Sequence, residues 1–539
     1  MKKTIDHTKA RGGYYTPKDL TDLIVNWVKP LSNESILEPS CGDGAFLESL
    51  SEYSRRMALN GVNVTAIELD PKEAQKSSAF FKTINSDFFT YYNDHMLGCK
   101  KYDILLGNPP FIRYQSFKEE FRTVAFRLMN DFGFHPSRMT NIWVPFLILA
   151  SEVLSENGRI GMVIPAELFQ VNYARDARNY LMSRFQRLTI LMLNSIIFEG
   201  AQQEVVILLG EVKSSNPGFF TVSVNNISQL EGMDHTFISE FEYRRPLLDN
   251  EKWTRYYLTN DDLELISRIE GSGLVVPGSQ LFEINVGVVT GENNFFIIDK
   301  DVIEQYGITS CCPIVCGTDY LPGLFYTEVD SQKNYLDKKS MLFNPSNISK
   351  ESLDSGDCRY IEYGESMKYN AGYKCRIRDP WYTPPISWVP EGFFFRQVGR
   401  YPRIVLNQCG ALTTDTLHKV RFKTGYDAAK VAVALFNSYT LSQCELIGRS
   451  YGGGVLTFEP SEVRRIPIPI SNMQKLDPDL ADLLIRENNI DQLITINDKI
   501  LLKDGMGLTS DEIAHLNSIW CALCNRRESR KVRKMKRMN

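Results

Sequence analysis

The sequence contains no long hydrophobic run. None of its apolar stretches approaches the roughly 18 residues that a membrane-spanning helix needs. Residues 1–7 do not provide the apolar core of a signal peptide. These absences argue against a membrane protein and against export, so we expect a cytoplasmic protein with no membrane partner.

A disulfide framework and a metal-binding pattern are also missing. The eleven cysteines are odd in number and scattered, which favours reduced thiols over disulfide bonds. Cys521 and Cys524 form a Cys-x-x-Cys pair, but no second pair of Cys or His follows at the spacing of a zinc finger. We therefore predict no metal site.

Basic residues are concentrated at one end of the chain. Residues 526–539 hold eight Lys or Arg and one acid, a contribution of +7 to a net charge of −4, so that residues 1–525 carry −11. Such a tail is typical of salt-sensitive phosphate contacts that ignore base sequence. It is equally typical of a solvated, frayed terminus, and the sequence leaves both interpretations open.

The order of apolar and amphipathic segments indicates an α/β fold. A chain of 539 residues, 43% hydrophobic and 23% charged, is an ordinary globular protein that exceeds one hydrophobic core. Short apolar strands alternate with helical patterns over residues 33–210, which is typical of a parallel sheet covered by helices. The predicted strands are 35–37, 62–67, Ile84, 102–106, 159–164, 188–193 and 204–209, and the predicted helices include 18–28, 45–59, 144–155 and 176–185.

The regular pattern ends at the loop 213–218, after which aromatic residues, Gly and Pro are frequent. A second domain of mixed character should begin between residues 215 and 265. We divide the chain into a catalytic domain (1–250), a second domain (251–525) and the basic tail (526–539).

A glycine-containing turn follows the first predicted strand. Gly42 and Gly44 have no Cβ, so the backbone could approach a ligand closely where a parallel strand meets a helix N-terminus. The spacing is not Gly-x-Gly-x-x-Gly, which disfavours a pyrophosphate ligand. A turn that needs glycine only for its geometry is the alternative interpretation.

Two acids at strand ends favour a nucleotide-like cofactor. Glu68 ends the second predicted strand, where an acid can accept hydrogen bonds from both hydroxyls of a ribose. Asp87 follows the third strand and could accept a hydrogen bond from the exocyclic amine of an adenine ring. Either acid alone is more typical of a solvated carboxylate, but the turn and both acids in this order predict a cofactor site.

The motif Asn108-Pro109-Pro110-Phe111 follows a strand that the pattern predicts to be buried. Two prolines fix φ and end the strand, which holds the Asn108 side chain and the Pro109 carbonyl at the edge of the sheet. Each oxygen could accept one N–H of a purine amine. The lone pair of the amine nitrogen, otherwise delocalised into the ring, would then point at a methyl donor. Phe111 offers a flat face for the base. A proline-stiffened turn with a core Phe is the alternative.

A base inside a duplex cannot reach such a pocket. Its nucleotide would have to rotate out of the helix, at a cost of roughly a few kcal/mol.

In this order the motifs closely resemble those of the gamma class of amino-methyltransferases that act on adenine in DNA, in particular the Taq-type enzymes of bacterial restriction–modification systems. The resemblance is specific over residues 11–210 and looser afterwards. It implies a Rossmann-like class I methyltransferase domain followed by a mixed α+β target recognition domain. It also implies S-adenosylmethionine as cofactor and site-specific methylation of adenine N6 in double-stranded DNA by base flipping, which protects host DNA.

The resemblance assigns individual residues as well. Thr16 and Pro17 would contact the methionine end of the cofactor, and Cys41 would pack rather than react. The full set of implied cofactor-binding residues is Thr16, Pro17, Glu38, Pro39, Ser40, Cys41, Gly42, Glu68, Asp87, Phe88, Asn108 and Pro110. The implied catalytic residues are Asn108, Pro109, Pro110, Phe111 and Phe198, the last as a second aromatic against the flipped base.

DNA readout is expected in the second half of the chain, where the segments 313–319, 403–407 and 448–454 resemble pieces of the recognition domain. Guanidinium groups in Gly- and aromatic-rich segments could meet phosphates or guanine edges, although surface ion pairs are the alternative. Tyr451 precedes glycines that could let the backbone approach DNA or could form a plain turn. The candidate DNA-binding residues are Arg396, Arg400, Arg403, Arg449 and Tyr451.

No compact acid–acid–Lys nuclease pattern stands out, and the chain is short for a fused endonuclease. We therefore expect a monomeric modification enzyme that acts on double-stranded DNA, with a separate restriction endonuclease as its functional partner. Related motifs also serve methyltransferases of protein glutamine, of ribosomal RNA and, usually with Ser in place of Asn108, of cytosine N4. A DNA-specificity protein without turnover is a further alternative, although nothing in residues 38–111 looks damaged.

Overall fold

The structure is a computed structural model that divides into two compact units, residues 1–257 and 258–539. None of the helices among the described residues is long and apolar enough to cross a bilayer. The described residues are 16–98, 101–193, 205–224, 243–244, 252–345, 350–451 and 454–535.

Unit one is built on a nine-stranded sheet with the order β3-β2-β1-β4-β5-β7-β6-β8-β9. Strands β1 to β5 are parallel to one another and β6 is parallel to β8, whereas β7 is antiparallel to β5 and β6, and β9 is antiparallel to β8. The strands are β1 (Ser35–Glu38), β2 (Asn63–Glu68), β3 (Thr83–Asn85), β4 (Tyr102–Gly107), β5 (Leu154–Pro165), β6 (Arg187–Leu193), β7 (Val205–Glu211), β8 (Gly218–Val224) and β9 (Tyr243–Arg244).

Successive side chains of the central strands point to opposite faces of this sheet, and those on both faces are apolar. Helices therefore cover both faces. In β4, Ile104 and Leu106 join the core cluster under the first helices, and Leu105 joins the cluster on the other face with Trp143. The helices of unit one are α1 (Lys18–Val28), α2 (Ala45–Arg56), α3 (Pro71–Ser77), α4 (Phe88–His95), α5 (Glu119–Asp131), α6 (Trp143–Glu152), α7 (Glu167–Gln170) and α8 (Arg175–Arg184).

Helix α1 lies unusually close to the sheet because β5 carries a glycine beneath it. A Cβ added at Gly161 would stand 2.4 Å from Ile24 Cγ2 and 3.1 Å from Val28 Cγ1. Only glycine therefore allows this approach, which brings the residues before α1 to the sheet edge.

Three features of unit one differ from the sequence-based expectation. The predicted all-parallel pattern is wrong at β7, which pairs antiparallel with both β5 and β6. The pattern also does not end at the loop 213–218, since β8 follows directly and extends the sheet beside β6. The predicted helix 144–155 is too long at its C-terminal end, because the chain enters β5 at Leu154.

Unit two is a mixed α+β structure with sheets of the orders β11-β20-β16-β18-β14, β12-β15-β13-β19, β17-β22-β21 and β10-β23. Its strands are β10 (Val275–Pro277), β11 (Phe282–Val286), β12 (Ile297–Ile298), β13 (Cys311–Val315), β14 (Phe325–Tyr326), β15 (Met341–Phe343), β16 (Gly392–Phe395), β17 (Gln397–Val398), β18 (Ile404–Asn407), β19 (Leu412–Thr413), β20 (Leu417–Phe422), β21 (Arg449–Tyr451), β22 (Val455–Thr457) and β23 (Pro467–Pro469).

The helices of unit two pack mainly around the five-stranded sheet. They are α9 (Asn260–Glu270), α10 (Gly278–Leu281), α11 (Asn293–Phe296), α12 (Lys300–Tyr306), α13 (Glu328–Asp337), α14 (Ser355–Ser366), α15 (Tyr373–Arg376), α16 (Ala428–Ala434), α17 (Ser438–Ile447), α18 (Pro460–Val463), α19 (Pro478–Arg486), α20 (Ile490–Asn497), α21 (Asp504–Met506) and α22 (Ser510–Met535), with a π-helical segment at Asp498–Lys503.

A buried ion pair anchors the last helix. Arg527 of α22 donates to both carboxylate oxygens of Glu445 in α17, at 2.9 and 2.6 Å, and the two side chains are only 3% and 5% exposed. The same guanidinium donates to the main-chain oxygens of Gly454 and Gly399. The first part of the basic segment 526–539 is therefore helical, and Arg527 is a structural residue.

We expect Arg527→Met to lower the free energy of unfolding of unit two by about 3–5 kcal/mol, because Glu445 would remain buried without its counter-ion. Arg268→Met is a matched control. Arg268 pairs with Glu512 at the other end of α22 and is 57% exposed, so its loss should cost no more than about 1 kcal/mol. Chemical denaturation of both variants measures the difference, and equal losses would contradict the structural role of Arg527.

Candidate active site in the first unit

The candidate site lies where four neighbouring parallel strands end. Strands β3, β2, β1 and β4 are adjacent in that order, and each is followed by a polar residue singled out from the sequence. Glu38 ends β1, Glu68 ends β2, Asp87 follows β3 and Asn108 follows β4. The chain leaves β1 towards β2 and β3 on one side and returns to β4 on the other, so the site lies at a topological switch point, where open α/β sheets bind ligands.

The turn after β1 approaches its neighbours closely. The Cys41 N–H donates to the Ile67 carbonyl at 2.9 Å, and the Gly44 N–H donates to the Cys41 carbonyl at 2.9 Å. Gly44 has a φ of 98°, and a Cβ there would stand 3.0 Å from Ser77. Gly42 has a φ of 56° but would carry its Cβ into open space, so glycine serves the backbone conformation there and leaves room for a ligand.

Glu68 holds this turn to the second strand. Its Oε2 accepts the Gly42 N–H at 2.9 Å, and its Oε1 accepts the Asp70 N–H at 2.7 Å. Burial raises the pKa of Glu68, although these two backbone hydrogen bonds oppose the rise. A carboxylate can accept further hydrogen bonds on its remaining lone pairs, so the contact with a ribose stays possible.

Glu38 is the most unusual group of the site. It is 2% exposed, and its Oε2 has no hydrogen-bond partner among the described residues. Burial raises the pKa of Glu38 well above its usual range, and the nearby charges of Glu68 and Asp43 raise it further. A buried carboxylate that lacks a partner favours a cationic or hydrogen-bond-donating ligand.

Asp87 caps the N-terminus of α4. Its Oδ2 accepts the N–H and the hydroxyl of Thr90, at 2.8 and 3.1 Å, and burial raises its pKa. The next residue, Phe88, lies in the core, where its ring stacks on Phe146 with centroids 5.0 Å apart. The predicted contacts of Asp87 and Phe88 with a cofactor stay predictions.

Cys41 has the environment of a packing residue. Its side chain is 5% exposed, and burial raises the pKa of the thiol. Because the thiolate is the nucleophilic form, this environment disfavours a reactive cysteine.

Asn108 is held in place by a residue that is distant in sequence. Its Nδ2 donates to Thr16 Oγ1 at 3.2 Å, and its main-chain oxygen accepts from Ser40 Oγ at 3.4 Å. Thr16 lies two residues before α1 and is 7% exposed. The hydrogen bond to Thr16 orients the amide, so that the Asn108 Oδ1 faces away from Thr16. Sequence reasoning missed this contact, because nothing local relates two residues 92 positions apart.

The prolines around the site and Phe111 are buried or half-buried. Pro39 and Pro109 are buried, Pro17 and Pro110 are half-buried, and Phe111 is half-buried against both core clusters of unit one. Phe198, the predicted second aromatic, lies outside the described residues.

Two family models cover most of the chain. Residues 1–229 match N-6 DNA Methylase, and residues 250–502 match the C-terminal domain of Type II methyltransferase M.Eco57I. Type II methyltransferase M.AccI from Acinetobacter calcoaceticus is 23% identical over 92% of this chain and 94% of its own length. Type II methyltransferase M.XamI from Xanthomonas campestris pv. amaranthicola is 20% identical over 86% of each chain.

The chain is an adenine-specific DNA methyltransferase. It carries out site-specific methylation as part of a restriction–modification system. The alternatives that the sequence left open (protein glutamine, ribosomal RNA, cytosine N4 and a protein without turnover) are therefore set aside.

The fold of the methyltransferase agrees with this assignment. The solved Type IIL restriction-modification enzyme MmeI, in complex with DNA, has a TM-score of 0.60 to this chain at 12% identity and covers 95% of this chain and 75% of its own. The likeness is one of fold. It confirms the predicted class I methyltransferase domain followed by a mixed α+β domain.

The arginines that the sequence suggested for DNA contact have partners within unit two. Arg396 pairs with Glu459 at 2.8 Å, and Arg449 donates to Glu462 at 2.6 Å. Arg403 donates to the Leu321 carbonyl at 3.0 Å and lies 4.6 Å from the ring centroid of Phe395.

Burial lowers the pKa of Arg403 to about 10. The Arg400 guanidinium lies 5.1 Å from the ring centroid of Trp520. The side chain of Tyr451 lies outside the described part of the chain. DNA contact by these five residues stays a prediction.

We expect Thr16→Val to lower kcat about tenfold, since the loss of one oriented hydrogen bond leaves the Asn108 amide less well oriented. Thr16→Ser keeps the hydroxyl and should restore most of the rate. Steady-state methylation of plasmid DNA, with the KM for the methyl donor measured separately, tests this role. A Thr16→Val variant that raises only that KM and keeps kcat would show that Thr16 does not position Asn108.

Proposed function

We propose that the methyltransferase binds S-adenosylmethionine at the ends of β1 to β4 and uses Asn108 to present the N6 amine of a flipped adenine to it. The observation that carries this proposal is the Asn108 amide, held by Thr16 at the end of β4. The neighbouring strand β1 ends in Glu38, whose buried Oε2 has no partner among the described residues. The Glu38 carboxylate at the end of β1 suits a cation, and the Asn108 amide after β4 suits an amine.

The residues present fit this cofactor. S-adenosylmethionine supplies a methyl group that its sulfonium makes electrophilic. Glu38 would neutralise a positive group of the cofactor, Glu68 would accept hydrogen bonds from its ribose, and Asp87 would accept one from its adenine ring. The open space at Gly42 leaves room for the ligand beside the turn.

The catalytic loop would act by position. The Asn108 Oδ1 and the Pro109 carbonyl oxygen would each accept one N–H of the target amine, which draws the nitrogen towards a tetrahedral shape. The nitrogen lone pair then points at the incoming methyl carbon. Asn108 is not basic enough to take up a proton, so its contribution is orientation and hydrogen bonding.

The target base would have to leave the duplex to reach this loop, at a cost of roughly a few kcal/mol. Phe111 would offer its ring for stacking, and Phe198 would pack on the other side of the base. We further propose that unit two recognises the DNA sequence and that a separate endonuclease provides restriction.

We expect Asn108→Ala to lower the methylation rate at least about a hundredfold, the usual loss when one oriented hydrogen-bonding group is removed from a transition state. Binding of S-adenosylmethionine should change little. Asn130→Ala is the control, since Asn130 is exposed in α5. The measurement is transfer of labelled methyl groups to plasmid DNA, followed by nucleoside analysis, and methylation at the wild-type rate by Asn108→Ala would overturn the assigned role.

We expect the affinity for S-adenosylmethionine to fall as the pH is lowered, because the raised pKa of Glu38 makes it take up a proton before an ordinary carboxyl group would. The protonated acid no longer neutralises the cation. Glu38→Gln should therefore bind at least about tenfold more weakly and lose much of the pH dependence. Titration calorimetry at several pH values measures both effects, with Glu48→Gln as control. Wild-type affinity and pH dependence in Glu38→Gln would contradict this assignment.

A further inference from the structure

Two cations lie side by side on strand β20 of unit two. Lys419 and Arg421 are two residues apart, so their side chains leave the same face of the strand. Strand β11 is the neighbour at this edge of the five-stranded sheet, with Asn285 opposite Lys419 and Glu283 opposite Arg421. Arg421 is exposed, and Lys419 is half-buried.

The two positive charges are not neutralised. Within the described part of unit two, neither Lys419 nor Arg421 forms an ion pair, although Glu283 is opposite in register. The Lys419 ammonium donates to Ser387 Oγ, a neutral partner. Burial and the charge of Arg421 lower the pKa of Lys419. Two like charges held together without a counter-ion favour the binding of an anion.

A tryptophan holds the pair in place. The ring centroid of Trp388 lies 4.5 Å from Lys419 Nζ and 4.5 Å from Arg421 Cζ. Cation–π contacts of this kind orient the side chains but leave their charge intact. The half-buried ring also adds an aromatic surface, next to Val389, which is 51% exposed.

Three other cations of unit two have carboxylate partners. Lys338 also lies over an aromatic ring, 4.3 Å from the centroid of Tyr320, but it pairs with Asp319 at 2.6 Å. Arg396 and Arg449 likewise have carboxylate partners. Lys419 and Arg421, by contrast, are ordered by a ring and have no carboxylate partner among the residues that the structure describes.

We propose that Lys419, Arg421 and Trp388 form a contact surface for the phosphate backbone of double-stranded DNA. The inference rests on the proposed role of unit two in DNA recognition and names the residues that perform it. A row of phosphates supplies the anions that the two cations lack, and the ring keeps the cations spaced along the strand. Phosphate contacts position a protein on DNA and account for much of its affinity.

The test compares DNA binding by the full-length wild-type protein and Lys419→Gln/Arg421→Gln. The probe is a short fluorescein-labelled duplex of mixed sequence, and anisotropy is measured over a range of salt concentrations. We expect the double variant to bind at least about tenfold more weakly and to reduce the slope of log K against log salt by about 1.8, since each phosphate contact contributes about 0.9. In methylation assays the KM for DNA should rise, while kcat at saturating DNA is retained.

Lys338→Gln is the matched control. Lys338 also lies over an aromatic ring, but Asp319 already neutralises its charge. Its loss should therefore leave the slope of log K against log salt unchanged. Trp388→Ala should weaken binding and Trp388→Phe should largely restore it, with thermal unfolding confirming that each variant is folded. An unchanged slope in the double variant, or an equal loss in Lys338→Gln, would overturn the proposal. If the wild-type protein methylates plasmid DNA while the double variant binds normally, this surface alone is wrong. If the wild-type protein fails to methylate DNA, the proposed function falls with it.

Discussion

The shared edge of four parallel strands is the constraint on which the site depends. Parallel strands all end on the same side of a sheet, so Glu38, Glu68, Asp87 and Asn108 come together without any contact between them in sequence. The glycine at position 161 adds the last part, because it lets α1 lie close to the sheet and brings Thr16 to Asn108. The loop that begins at Asn108 is therefore held by the end of β4 and by the hydrogen bond from Asn108 to Thr16.

The buried acids at this edge of the sheet favour the binding of a cationic ligand. Burial raises the pKa of Glu38, of Glu68 and of Asp43, and the charges of Glu68 and Asp43 raise that of Glu38 further. Such a group of acids opposes folding when it is ionised, because each charge lacks solvent. A bound cation relieves this cost, and a ligand that binds only the folded state stabilises it. Binding and the stability of unit one are therefore coupled.

Local patterns predicted much of the catalytic unit. The helix Lys18–Val28 and the ends of β1 and β4 follow from apolar periodicity and from the Gly and Pro residues that interrupt it. Asn108 and Glu68 could be singled out because a strand end followed by a distinctive residue is visible in the sequence. The antiparallel insertion of β7 could not be predicted, since an apolar run in a buried sheet has the same composition in either direction.

Contacts between distant residues account for the other differences. Thr16 and Asn108, or Arg527 and Glu445, are partners only because the fold brings their elements together. A list of arginines in the second unit likewise does not reveal that Arg403 is buried. Nor does a Lys-x-Arg pair in a strand reveal that both cations share one tryptophan and that no described carboxylate pairs with them.

Strand β20 carries buried side chains that pack in the core and more exposed side chains that are available for contact. Leu417, His418 and Val420 are buried, whereas Arg421 is exposed and Lys419 is half-buried. Replacements at these two positions can therefore alter what the surface contacts and leave the packing of the sheet intact. If unit two recognises DNA as proposed, a strand of this kind would let its contacts change at an exposed position while the buried positions keep the sheet packed.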